Sequence, residues 1–208
     1  MAVADTSPAA AAATVVATPS VAQRPIVPAS IVPLRGLPIV GAVVVFIVIS
    51  IAGNWTWALT FLHVAGGGLW TGLDLFIGFV LGPIMRRLSV PARIELTSRL
   101  MPKTLLIMPT LVTMTLAAGF QLARDYGFLY TDYPRHTWVV VSMVVVAIMA
   151  VTARGLLQPA NIAVLFELRK PHPNPAIIAG LMRRFMYATA IIGTAQIATL
   201  IIMTRLGS

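Results

Sequence analysis

Apolar residues in this chain come in long unbroken runs, and the runs are separated by short clusters of charge. Neither strand alternation nor the one-sided stripe of a surface helix describes them. Their lengths match a helix crossing a hydrocarbon core about 30 Å thick, which takes about 20 residues. The pattern predicts five transmembrane helices, over residues 37–52, 55–85, 104–123, 137–168 and 176–204, in an all-α bundle covering 36–206. The fourth run is long enough to tilt or project, and Pro159 is its expected kink. Between the second and third runs lies RRLSVPARIELTSRLMPK, where Ser89 and Pro91 suit a helix start. This stretch reads equally as an interfacial helix, with Ile94, Leu96 and Leu100 resting on the membrane, or as a plain basic loop.

Residues 1–35 lack helical periodicity and are rich in Ala and Pro, the composition of a disordered tail. A cleaved signal peptide fits less well. No basic residue precedes the Ala9–Ala17 run, and that run has no leucine.

Composition agrees with lipid as the solvent. Hydrophobic residues make up 58% of the chain and charged residues 10%, against roughly 25% charged in soluble domains. The formal charge of +9 would suggest nucleic acid in a soluble protein. Here the bases flank apolar runs without interleaved aromatics, so no nucleic-acid partner is expected and the bilayer is. The chain has no cysteine, which excludes disulfides, thiolate metal sites, iron–sulfur clusters and covalent haem attachment through paired cysteines.

The bases also set an orientation. With the amino terminus in the cytoplasm, Arg24, Arg35, Arg86, Arg87, Arg93, Arg99, Lys103, Arg169, Lys170, Arg183 and Arg184 all lie inside. Only Arg124, Arg135 and Arg205 fall outside, so the carboxyl terminus is expected on the outer side of the cell membrane. Trp55, Trp57, Tyr126, Tyr130, Tyr133 and Trp138 then gather at the outer interface, as amphipathic rings prefer.

Three ionisable residues fall inside spans, where each costs a few kcal/mol even on the mild insertion scale: His63, Asp74 and Arg154. His63 and Asp74 lie within roughly 20° of one helical face and about 16 Å apart along the axis. Gly67 and Trp70 complete that stripe, which is expected to face the bundle. Gly68 and Gly72 sit opposite, at a spacing that admits a second helix. With both faces packed, the second span is expected to be the central helix. Asp74 and Arg154 lie at similar depth and are expected to pair, either as a structural bridge or in a proton or ligand path. Gln158 and Asn161 extend that polar line inward.

His63 is a candidate ligand for haem iron or copper. The adjacent Gly66-Gly67-Gly68 would admit a flat macrocycle or another backbone. His136, Met114 and Met143 are the available second ligands, and each also reads as an ordinary loop or core residue. Gln121 and Gln196 are polar groups of the outer half. His172 is expected to be exposed. No nucleophile–base pair, phosphate loop or paired-carboxylate site is apparent, so an enzymatic activity is left open.

Two segments carry a resemblance: FLHVAGGGLWTGLDLFIGFVLGPIMRR, residues 61–87, and LLQPANIAVLFELRKPHPNP with GLMRRFMYATAIIGTAQIATLIIM, within residues 156–203. Together they resemble the copper-resistance-D-like superfamily of small polytopic membrane proteins, in particular its uncharacterised integral-membrane branch. The pattern His-x-x-small-x-x-x-Trp-x-Gly also looks like haem-associated membrane families, including the membrane protoporphyrinogen-oxidase type. The resemblance implies a helical bundle with a histidine early in a core helix, serving b-type haem or copper. Only His63 maps onto it, with Trp70 and Gly72 as companions. The second axial histidine of the haem-binding members has no intramembrane match here. Two other functions fit the same residues: a non-catalytic accessory or assembly subunit of a larger membrane complex, and a small transporter or proton path.

Overall fold

The computed structural model describes residues 33–130 and 135–207. Most of the expected tail lies outside them. Every regular element among the described residues is helical, and five helices are long and apolar enough to cross a membrane. We name them α1 (Leu37–Ala52), α2 (Thr56–Arg87), α3 (Val90–Asp125), α4 (His136–Leu168) and α5 (Pro175–Gly207).

Local chemistry sets the joints. A turn with Asn54 at φ 51° links α1 to α2, a conformation asparagine tolerates well. There the Trp55 amide donates to the Ser50 carbonyl at 2.9 Å. Between α2 and α3, Arg93 reaches back to the carbonyl of Leu88 at 3.2 Å, closing the end of α2. Before α5, Asn174 Oδ1 accepts from the Ala176 amide at 2.9 Å, while Glu167 Oε1 accepts from the Asn174 amide at 3.1 Å. Lys170 donates to the second oxygen of Glu167, so a buried carboxylate organises this loop. His172 is exposed, as expected.

The segment after Ser89 is neither a loop nor a separate surface helix. It forms the opening turns of α3, which continues through Pro102 and Pro109. A proline removes one backbone hydrogen bond without necessarily ending a membrane helix, because nearby hydroxyls and packing compensate. Thr104 donates to the Leu100 carbonyl at 3.1 Å just past Pro102. Ile94, Thr97, Ser98 and Met101 recur at helical spacing and are buried, so this face joins the protein core.

Both α2 and α4 contain one widened π turn, over Phe76–Leu81 and Ala153–Leu157. Each is followed within two residues by a proline, Pro83 and Pro159. A proline cannot donate to the carbonyl four residues back, and its ring crowds that carbonyl. A π turn is one way for a helix to accommodate this. The expected disturbance at Pro159 thus takes the form of a widened turn before it.

The central helix is α5 rather than α2. In its most apolar stretch 44% of residues are buried, against 28% in α2 and 11% in α1. The Gly68/Gly72 face explains the difference, since a Cβ at either position would meet no atom within 4 Å. The close approach occurs elsewhere on α2. A Cβ at Gly78 would lie 2.7 Å from Ala190 Cα, and one at Gly193 would lie 3.2 Å from the Leu75 amide nitrogen.

Two apolar clusters fill the bundle. One gathers Ile77, Met101, Leu168 and Phe185, and the other Leu59, Trp70, Met114 and Ile192. Between them runs a layer of buried polar side chains.

Candidate functional site: a polar layer with a cavity

Asp74 lies in that layer at 1% exposure. It is one helical turn beyond the buried Trp70 and faces α5. Gln196 Nε2 donates to Asp74 Oδ2 at 3.1 Å. The Trp70 side chain is a further hydrogen-bond donor to the carboxylate, while Oδ1 and the Gln196 carbonyl oxygen are buried without a partner in good hydrogen-bond geometry.

Asp74 lines a cavity of about 70 Å³, together with Trp70, Thr104, Arg154, Asn161 and Thr189. One water needs about 10–15 Å³ on this measure, so the cavity has room for several. Asn161 Oδ1 and Thr189 Oγ1 are also buried and unpartnered. Leaving such a group unmet costs roughly 1–3 kcal/mol. Three unmet polar groups on one cavity call for water or a polar ligand within it.

The expected Asp74–Arg154 ion pair does not form. Both residues line the cavity, but among the described residues the ion pairs are Glu95–Arg99, Asp125–Arg124 and Glu167–Lys170. Arg154 sits within the widened turn of α4 and is exposed. An added residue in one turn shifts the angular phase of every later residue in the helix, so equal depth does not ensure facing side chains. Gln158 and Asn161 do line the same cavity, as the inward polar line predicted.

His63 faces α3. Its Nδ1 lies 2.8 Å from the Thr115 carbonyl, so the tautomer with hydrogen on Nδ1 donates there and leaves Nε2 as an acceptor. A Cβ at Gly119 would lie 2.5 Å from that nitrogen. The glycine run serves the same helix contact. A Cβ at Gly66 would lie 2.6 Å from both Met114 Cε and Thr115 Oγ1, and one at Gly67 would touch Thr115 Cγ2 at 3.4 Å. The space expected for a macrocycle is thus filled by α3 at Gly66 and Gly67, and Gly68 points outward. His136 is exposed at the start of α4, a helix that packs along α5. Met143 is exposed and Met114 belongs to the core. No group of three or more His, Cys, Asp or Glu side chains able to hold a metal occurs among the described residues.

The stripe of α2 therefore divides. Trp70 and Asp74 join the cavity, while His63 and Gly67 join the α2–α3 contact. Gln196 as the partner of Asp74, and Thr104 and Thr189 as cavity walls, are what sequence reasoning missed. A glutamine inside an apolar run was the available signal for the first. Hydroxyls in spans more often satisfy their own helix, so the threonines gave no separate signal. Comparisons with family models, curated proteins and solved structures give no match for this chain.

Proposed function

We propose that this chain is a small polytopic membrane protein that handles protons through Asp74, either as a proton path or as the protonation site of a small transporter. The observation that carries this reading is a carboxylate at 1% exposure, with one oxygen lacking a well-aligned donor, on the wall of a cavity with room for several waters. An ionisable group at such a place in a span is expensive and by default functional. Asn161 and Thr189 supply further unmet groups along which waters could relay a proton. In this reading the amino terminus is cytoplasmic and the carboxyl terminus lies outside, following the bias of basic residues.

The test is acid-driven proton uptake into proteoliposomes loaded with a pH-sensitive dye. Asp74→Asn preserves side-chain shape and the acceptor for Gln196, and is expected to reduce flux at least about tenfold, to the level of empty liposomes. Flux equal to that of the unaltered chain in Asp74→Asn would remove the reading.

A second reading has one observation in its favour. The bond from Nδ1 of His63 to the Thr115 carbonyl is the outer-shell arrangement that orients a metal-binding imidazole. It would leave Nε2 free to bind copper, one of the two groups that the resemblance to copper-resistance-D-like proteins implies. The other, b-type haem, would need space beyond the glycine run, which α3 fills. Detergent-purified protein would then carry a Soret band or bound copper that His63→Ala removes. A colourless, metal-free preparation counts against it.

A further inference from the structure

A second concavity lies away from the polar layer, where the end of α2 and the starts of α3 and α5 converge. It is a groove of about 630 Å³, and its lining includes Arg86, Arg93 and Arg183. None of the described residues lining it is acidic, and none of these three arginines makes an ion pair. Arg86 is held in place, donating to the Tyr187 hydroxyl at 2.6 Å with its guanidinium 5.1 Å from the centre of that ring. Arg93 spends one terminal nitrogen on the Leu88 carbonyl, while its Nε is buried with no partner.

Three guanidinium groups from three helices thus surround one space with no counter-charge. The remaining lining is largely apolar and includes Met182 and Met186. Ile84 and Ile177, on the same two helices, are 47% and 45% exposed, as lipid-facing residues are. An occupant that satisfies both halves carries an anionic phosphate at one end and a hydrocarbon body at the other.

We propose that this groove binds the phosphate headgroup of an anionic phospholipid, with the acyl chains running out along α2 and α5. Arginine forks match phosphate oxygens bidentately, and basic pockets between helices at a membrane face take anionic headgroups. The site is separate from the Asp74 cavity and does not depend on its role.

The experiment measures phosphatidylglycerol and phosphatidylcholine binding to the detergent-solubilised full chain by native mass spectrometry. Phosphatidylglycerol is expected to bind the more tightly. Each basic residue near a membrane surface contributes about fivefold, so Arg86→Gln with Arg183→Gln should weaken phosphatidylglycerol binding about 30-fold. The neighbouring pair Arg87→Gln with Arg184→Gln removes the same charge outside the groove and should weaken binding clearly less, because direct guanidinium–phosphate contacts are kept. Gly180 lines the groove, and a Cβ there would meet nothing within 4 Å. Gly180→Leu should therefore fill the space with all charges kept, and displace the lipid. Equal losses from the two arginine pairs, or equal affinity for the two lipids, would overturn the proposal. Competition by inorganic phosphate at the lipid's own concentration would also overturn it, by assigning the groove to free phosphate.

Discussion

At the scale of single residues, His63 has the most closely built surroundings. Its imidazole donates to a backbone carbonyl of α3 and lies over a position that only glycine can occupy. Gly119→Ala should destabilise the protein by about 1–3 kcal/mol, the cost of overpacking a filled contact. Adding His63→Ala should recover part of that loss, which a thermal-melting cycle in detergent would measure. A Gly119→Ala protein that melts with the unaltered chain would mean that the ring has room to turn aside. The charged and polar residues within spans were legible in the sequence, because lipid makes them rare. Their partners were not. Asp74 meets Gln196 instead of Arg154, and that choice depends on helix rotation and on the widened turn at Ala153–Leu157. The role of Thr115 was hidden for a different reason: it offers a backbone carbonyl, which every residue has.

Among elements, the contact between α2 and α5 decides how the bundle closes. At Gly78 the obstacle to any side chain is the backbone of Ala190, which cannot rotate away. Gly78→Ala should therefore force the helices apart and cost about 2 kcal/mol or more. Gly72→Ala faces open space and should be neutral or slightly stabilising through helix propensity, by up to about 1 kcal/mol. Unfolding of both variants in mixed micelles would rank them, and a reversed order would contradict the assigned packing face. Spacing alone could not separate the two faces, since Gly68 and Gly72 have the better-known separation. The apolar runs revealed the five spans because their lengths are set by the bilayer. The start of α3 escaped that logic. Ile94 and Met101 are buried against protein while charged Arg99 and Lys103 lie between or beside them, so no continuous apolar run marks the segment.

For the molecule as a whole, the two ends of the bundle differ in chemistry. Arg86, Arg93 and Arg183 converge at one end, whereas Trp55 and Tyr126 lie by sequence at the other ends of their helices. The chain has no cysteine, so single cysteines can be introduced without removing any. A membrane-impermeant maleimide added outside intact cells should label Tyr126→Cys and leave Ser89→Cys unlabelled until the membrane is opened. The reverse pattern would invert the orientation. Extraction should require detergent, since α1 and the outer faces of the other helices present large apolar side chains throughout.

One consequence concerns mechanics. The widened turns of α2 and α4 begin 20 and 17 residues after the first residues of their helices, a distance of about 30 Å and 26 Å along the axis. Both weak points therefore sit near the level of the buried carboxylate. A rod flexes where its internal bracing is poorest, and two rods notched at one height flex together. Bending there would alter the walls around Asp74, and in α2 it would act directly on the close Gly78–Ala190 contact with α5.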